Sequence, residues 1–177
     1  MPSFITVSGS TFTVSATASS DIGTYLIDVT LSDGTNTPVT QFSIVVNANQ
    51  PPDFGSALVA QSITVGFTIT YSLPAYSDPE GQPTTLVSIT LSSGAALPSF
   101  IVHSGVTLTI SPTLNAEAGP YTLAITLSDG FNNAVKSLVV TITENQAPYF
   151  STALVAQSVM IEQTRTYALP TMTDPES

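Results

Sequence analysis

Tyr121-Thr122-Leu123-Ala124-Ile125-Thr126-Leu127-Ser128-Asp129-Gly130 is the stretch on which the reading of the fold turns. Tyr121, Leu123, Ile125 and Leu127 alternate with Thr122, Ala124, Thr126 and Ser128. A period of two puts every apolar side chain of an extended strand on one face. Asp129-Gly130 then closes the run with a turn pair. Downstream, Leu138, Val140 and Ile142 resume the alternation, and upstream Val106, Leu108 and Ile110 alternate with Thr107 and Thr109. Strands are predicted near 57–65, 67–73, 84–91, 99–103, 106–111, 120–128 and 134–143. The turn signals Pro79-Glu80-Gly81 and Ser93-Gly94 fall between them, and no stretch combines helical periodicity with caps. The expected class is all-β, with seven strands forming a two-sheet Greek-key sandwich.

The same stretch has a double. Thr30-Leu31-Ser32-Asp33-Gly34 matches Thr126 to Gly130, and Tyr25 matches Tyr121, each 96 residues earlier. Met1-Pro2-Ser3-Phe4-Ile5 matches Leu97-Pro98-Ser99-Phe100-Ile101 at the same offset. Ala57 to Ser62 recurs as Ala153 to Ser158, and Asp78-Pro79-Glu80 as Asp174-Pro175-Glu176. Residues 1–81 align on 97–177 without a gap, and nearly half the aligned positions are identical. Duplication explains this, and chance does not.

The Asn-Gln-x-Pro junctions at Asn49 and Asn145 are the natural boundaries, because proline stiffens a joint. The expected organisation is tandem: residues 1–48 as the C-terminal half of one repeat, 49–144 as a complete repeat, and 145–177 as the N-terminal part of a third. Half a sandwich cannot bury its sheet. The chain is therefore expected to be an excerpt of a longer array, or else its open ends complement those of other chains. The second arrangement would lack the counterpart of Gln82–Ala96, which contains the strand predicted at 84–91.

Charged residues make up 8% of the chain, against roughly 25% in ordinary soluble domains. Lys136 and Arg165 are the only basic residues beside twelve acids, for a net charge of −10. Such a surface repels phosphate backbones, which argues against nucleic acid as a partner, and it attracts cations. The absence of cysteine removes disulfides, thiolate metal sites and thiol nucleophiles. No apolar run is long enough to span a membrane, and Met1-Pro2-Ser3-Phe4 does not read as a secretion signal. There is no Asn-x-Ser/Thr sequon, so a glycan on this Ser- and Thr-rich surface is expected to be O-linked.

Leu114-Asn115-Ala116-Glu117 followed by Tyr121 to Gly130 resembles the cadherin repeat pattern. The opening Asn145-Gln146-Ala147-Pro148-Tyr149-Phe150 and the loop Thr173-Asp174-Pro175-Glu176 are more similar still to the dystroglycan-type cadherin-like domains. The resemblance spans the chain as one complete and two partial cadherin- or immunoglobulin-like repeats. It implies an extracellular or cell-surface protein, with Ca2+ bound between successive domains. Carried over by position, it implies ligands at Asp21, Asn49, Asp78, Glu80 and Asp129 for the first junction. For the second it implies Glu117, Asn145, Asp174 and Glu176. Calcium takes six to eight oxygens from carboxylates and carbonyls, which these residue types offer. The pattern is incomplete: Val46 and Ile142 stand where cadherins carry the first linker aspartate, and Ser19 or Asn115 replaces another. The reading without metal makes Asp78 and Asp174 turn caps beside proline, and Asp33 and Asp129 members of ordinary Asp-Gly turns.

No catalytic constellation is expected. His103 and Ser104 are adjacent on a strand and so leave opposite faces, and Val7 aligns with His103. Asp78 and Glu80 could be read as a glycosidase pair, but they recur as Asp174 and Glu176, one set per junction. Among the aromatics that could stack on sugar, Tyr71 and Tyr121 recur in neighbouring repeats and read as core, whereas Tyr76 and Phe131 do not recur. The chain is expected to be a structural segment of a long filament, stalk or surface fibre, with neighbouring copies as partners in a homopolymer or by lateral association. The alternatives are a spacer of an adhesin or receptor ectodomain and, more weakly, a carbohydrate-binding accessory module.

Overall fold

The computed structural model describes residues 1–176, so the predicted third repeat is described up to Glu176 and Ser177 lies outside. The chain divides into two compact units, Met1–Gln50 and a second beginning at Pro51.

The first unit has four strands: β1 (Ile5–Ser8), β2 (Thr11–Val14), β3 (Gly23–Thr30) and β4 (Val39–Val46). They form two antiparallel hairpins, β1 with β2 and β3 with β4. Ile5 and Ile27 are buried, while Val14 and Leu31 lie exposed.

The second unit opens with β5 (Asp53–Phe54), β6 (Gln61–Thr64), β7 (Ile69–Ser72), β8 (Tyr76–Ser77) and β9 (Thr85–Leu91). It continues with β10 (Ile101–Ser104), β11 (Thr107–Ile110), β12 (Gly119–Ser128) and β13 (Asn133–Thr143). One sheet runs β10-β11-β7 and the other β6-β13-β12-β9. All pairings are antiparallel except β13 with β6, and β5 pairs with β8 in a two-stranded ladder of its own. This is an immunoglobulin-like Greek-key sandwich: the chain passes from one main sheet to the other between β6 and β7, between β7 and β9, between β9 and β10, and between β11 and β12. The seven strands expected from sequence are all present. The two-residue strands β5 and β8 were not foreseen, because ladders so short carry no periodicity.

The alternation seen in sequence becomes the core. Leu123, Ile125, Leu138 and Val140 from one sheet pack with Leu108, Ile110 and Ile101 from the other, and Ile63, Val65, Leu73, Ile89, Phe100 and Ile142 complete the cluster. Ten residue pairs hold β12 to β13. Against β9 the register slips between Thr126 and Leu127, leaving Val87 unpaired and exposed. Lys136 lies on the same side of β13 as Leu138 but at its edge. Its Nζ reaches Asp53 Oδ1 at 2.8 Å, so its charge meets a carboxylate.

Tyr121 Oη donates to the carbonyl of Glu117 at 2.9 Å, and its ring meets Phe100 edge-on at 5.4 Å. This tyrosine corner ties the turn before β12 to the sandwich. Tyr25 repeats it with Asp21 and Phe4. Tyr121→Phe is expected to destabilise the second unit by about 1 kcal/mol, the net worth of one such bond. In a thermal melt this amounts to a fall of roughly 4–8 °C for a domain of this size.

Beyond Thr143 come β14 (Tyr149–Phe150) and β15 (Met172–Thr173), which pair with each other. Between them residues 155, 159–161 and 169 are exposed apolar side chains. The duplication holds at the level of hydrogen-bonded structure. β1, β2, β5 and β8 reappear as β10, β11, β14 and β15, each displaced by 96 residues with unchanged limits.

Candidate functional site

The acidic residues singled out in sequence lie in loops and turns at the ends of strands, where short polar side chains satisfy backbone groups that no ladder reaches. At the β12–β13 turn, Asp129 Oδ1 accepts the N–H groups of Phe131 and Asn132, both at 2.6 Å. Asp33 does the same for Thr35 and Asn36 at 2.8 and 2.7 Å. The Asp-Gly turn reading is thus what the geometry contains at both sites. The two differ in burial, since Asp129 is 6% exposed and Asp33 is open to water.

The N–H groups of Asn36 and Thr35, in that order, and then the Asn36 side-chain amide hold the Asp33 carboxyl below its ordinary value of 3.8. A carboxylate with a depressed folded pKa stabilises its turn fully above 3.8, and the contribution disappears as pH falls through the lower folded value. An NMR titration is expected to place the Asp33 midpoint below 3.8, with the Thr35 and Asn36 amide signals moving in step. A midpoint at or above 3.8 would exclude the turn as described. The Asp53 carboxyl is lowered in the same direction, first by the Lys136 hydrogen bond and then by the Phe54 N–H.

Asp78 lies in the β8–β9 loop. That loop leads into Thr85, which pairs with Ser128, so it sits beside the Asp129 turn at one pole of the sandwich. Asp78 is 6% exposed. Its Oδ1 accepts the N–H groups of Glu80 at 2.9 Å and Gln82 at 3.2 Å. Its Oδ2 is buried and meets no donor, and neither does the buried Oε1 of Gln82. Two acceptor oxygens in one loop are thus shielded from water and left without a proton donor. Asp78 and Asp129 are the buried charged residues of the described chain. The Glu80 side chain is exposed.

At the second junction, Asn145 N–H donates to Asn115 Oδ1 and Asn115 Nδ2 donates to Asn145 O, both at 2.9 Å. Gln146 N–H reaches Glu176 Oε1 at 3.1 Å, Glu176 N–H reaches Asp174 Oδ1 at 3.1 Å, and Glu176 Oε2 is buried without a donor. Glu117 turns back on its own loop, where Oε2 accepts the N–H groups of Thr113 and Leu114 at 2.6 and 3.0 Å. Asp21 Oδ2 does likewise for Thr17 and Ala18, and Asn49 is half-buried at the end of the first unit. Among the described residues no three Asp, Glu, His or Cys side chains gather in a group able to hold a metal. Sequence reasoning overlooked Gln82 and the Asn115–Asn145 clamp. Both depend on which loops meet, and no local pattern signals that.

Of the remaining candidates, His103 and Phe131 lie on the surface, while Tyr76, expected there too, is half-buried. His103 is exposed, with Nδ1 3.4 Å from the carbonyl of Gly105 in its own turn. Tyr71 Oη accepts the Val59 N–H at 3.0 Å, Tyr76 packs edge-on against Phe54, and Phe131 is exposed. A shallow groove of about 340 Å³ runs past Tyr76, Leu86, His103 and Val106. No helix among the described residues is long and apolar enough to cross a membrane.

No protein-family model and no curated protein matches the chain. Solved structures similar to it include the endo-fucoidan hydrolase MfFcnA4 from glycoside hydrolase family 107 (TM-score 0.41, 19% identity, 86% of this chain and 25% of that one). Immunoglobulin domains 1–5 of Sidekick-1 match at a TM-score of 0.40 and 19% identity, over 81% of this chain and 30% of that one. Extracellular domains 3–5 of Drosophila OTK match at 0.39 and 14%, over 79% and 46%. The chain spans about a quarter of the first of these and less than half of each of the others. At these scores the likenesses carry no argument about function.

Proposed function

We propose that the chain is a structural segment of an extracellular filament, stalk or surface fibre, built from stacked dystroglycan-type cadherin-like sandwiches and without catalytic activity. The observation that carries this reading is the constant displacement of 96 residues between β1 and β10, β2 and β11, β5 and β14, and β8 and β15. Equivalent units joined by short, proline-bearing connections stack with a constant rotation and generate a rod or helix. The Asn115–Asn145 pair pins the start of the second connection to the sandwich before it, which stiffens that joint. Electron microscopy of native material is expected to show a beaded fibre. Isolated short stalks bearing a distinct head would favour the adhesin or receptor spacer instead.

The adhesive reading, with calcium at the domain ends, draws support from the buried, donorless oxygens of Asp78 and Gln82. An unsatisfied buried acceptor costs about 1–3 kcal/mol, and a divalent cation would offset it. Asp78 and Gln82 would supply the first oxygens, and Asp129 and Glu80 lie in the same two loops. Bound calcium would neutralise carboxylate charge and stiffen the pole. Calorimetric titration with calcium is expected to give heat and a raised melting temperature. Neither at millimolar calcium would dismiss the cation.

A further inference from the structure

We propose that the flank of the 51–144 sandwich formed by β9 and β10 is a contact surface for a second copy of this chain, the two copies meeting across it about a two-fold axis. This gives the lateral association expected from sequence a place on the fold, and it does not depend on the end-to-end stacking proposed above.

Charge selects the partner. Between Glu80 and Glu117 the chain has no Asp, Glu, Lys or Arg. That stretch builds β9, β10 and β11, and β9 and β10 are end strands of the two main sheets. The shallow groove already described lies between them. It passes Leu86 and Val87 on β9 and His103 and Val106 at the β10–β11 turn, with Tyr76 half-buried alongside. The charges of this unit stand elsewhere: Lys136 pairs with Asp53, and Asp78, Glu80 and Asp129 occupy one pole. A chain of net charge −10 repels its own copies over most of its surface, and least where it carries no charge. An acidic or basic partner finds no ion pair on this flank. A second copy presents the same neutral flank, and closing the two together strips water from no carboxylate.

The flank also has apolar surface to bury. Val87 is 57% exposed and Val106 39%, and removing such side chains from water favours contact. The bulge at Val87 and the four-residue length of β10 discourage the addition of a further strand. Side chains therefore make the contact, with Val87 and Val106 of each copy set against the groove of the other. A two-fold arrangement uses the same patch twice, so pairing through this unit stops at two molecules.

The duplication preserves the inward side of β10 but not the flank. Ile101 recurs as Ile5, whereas Val106 is replaced by Ser10 and Tyr76 by Met172. The patch is thus particular to this repeat. Like repeats pair with like, and two arrays joined in this way lie side by side in register.

The test uses the full chain in a chelating buffer, which keeps calcium out of the result. In sedimentation equilibrium the wild type is expected to rise from 18.4 kDa toward the dimer as concentration increases. Added sodium chloride should strengthen the association, because it screens the repulsion between the acidic remainders. Val87→Asp and Val106→Asp are each expected to weaken it by at least about tenfold, since each sets like charges against one another. Val59→Asp is the control: Val59 is 64% exposed just before β6, the end strand on the other side of the β9 sheet, and it should associate as the wild type does. An unchanged main melting transition in each variant shows that the sandwich remains folded. Because the chain has no cysteine, Val87→Cys treated with a short bifunctional thiol reagent should give a covalent dimer, and Val59→Cys should not. The proposal is overturned if the wild type stays monomeric, if salt weakens the association, if both flank variants associate as the wild type does, or if Val59→Asp weakens it equally. A monomeric wild type would leave the groove to a partner of another kind and the filament reading intact, because that reading is judged on native fibres.

Discussion

Leu123→Ala is expected to lower the stability of the 51–144 sandwich by about 2–5 kcal/mol, the range for deleting a buried leucine side chain and leaving part of its volume empty. Leu123 is fully buried at the middle of β12, flanked by Leu138 on β13 and Leu91 on β9, and it belongs to the cluster that joins the two sheets. Packed neighbours on every side cannot all move into the vacancy, which places the expected loss in the upper half of that range. At roughly 4–8 °C per kcal/mol the main melting transition should fall by at least about 10 °C. Thr122→Ala, one residue earlier on the outer face, should change it by no more than about 0.5 kcal/mol. Similar melting temperatures for the two variants would contradict the assignment of inner and outer faces.

Asp129→Ala should cost about 2 kcal/mol, because it leaves the N–H groups of Phe131 and Asn132 without their acceptor in a turn where Asp129 itself is buried. Asp33→Ala removes the same two bonds from the same five-residue sequence, yet water can replace them there, so the stability of the first unit, which contains it, should change by no more than about 0.5 kcal/mol. Denaturant titration of both variants measures the contrast. Equal effects would mean that burial does not distinguish the two turns. The comparison is internally controlled, since Thr-Leu-Ser-Asp-Gly occurs at both positions.

Strand positions, turn positions and the repeat were legible because each is written in local order. Alternation at Tyr121 to Leu127 specifies an inward face whatever packs against it, and Asp-Gly specifies a turn. Residue roles at the poles were legible only in part. Glu117 and Asp21 were placed as calcium ligands by resemblance, and the structure adds that one carboxylate oxygen of each holds two N–H groups of its own loop. Asn115 looked like a missing aspartate and clamps Asn145. The Lys136–Asp53 pair has no counterpart at Thr40 and Tyr149, so the repeat gave no warning of it.

By itself the sequence determined that this protein is all-β, that its unit is 96 residues long, and which side chains of each strand face inward. Those properties follow from the chain's own periodicity, and periodicity is a matter of neighbours in sequence. The tertiary structure alone decided which of two identical turns is buried and which acceptor oxygens are left without donors. Each of these depends on whether a second segment arrives to exclude water.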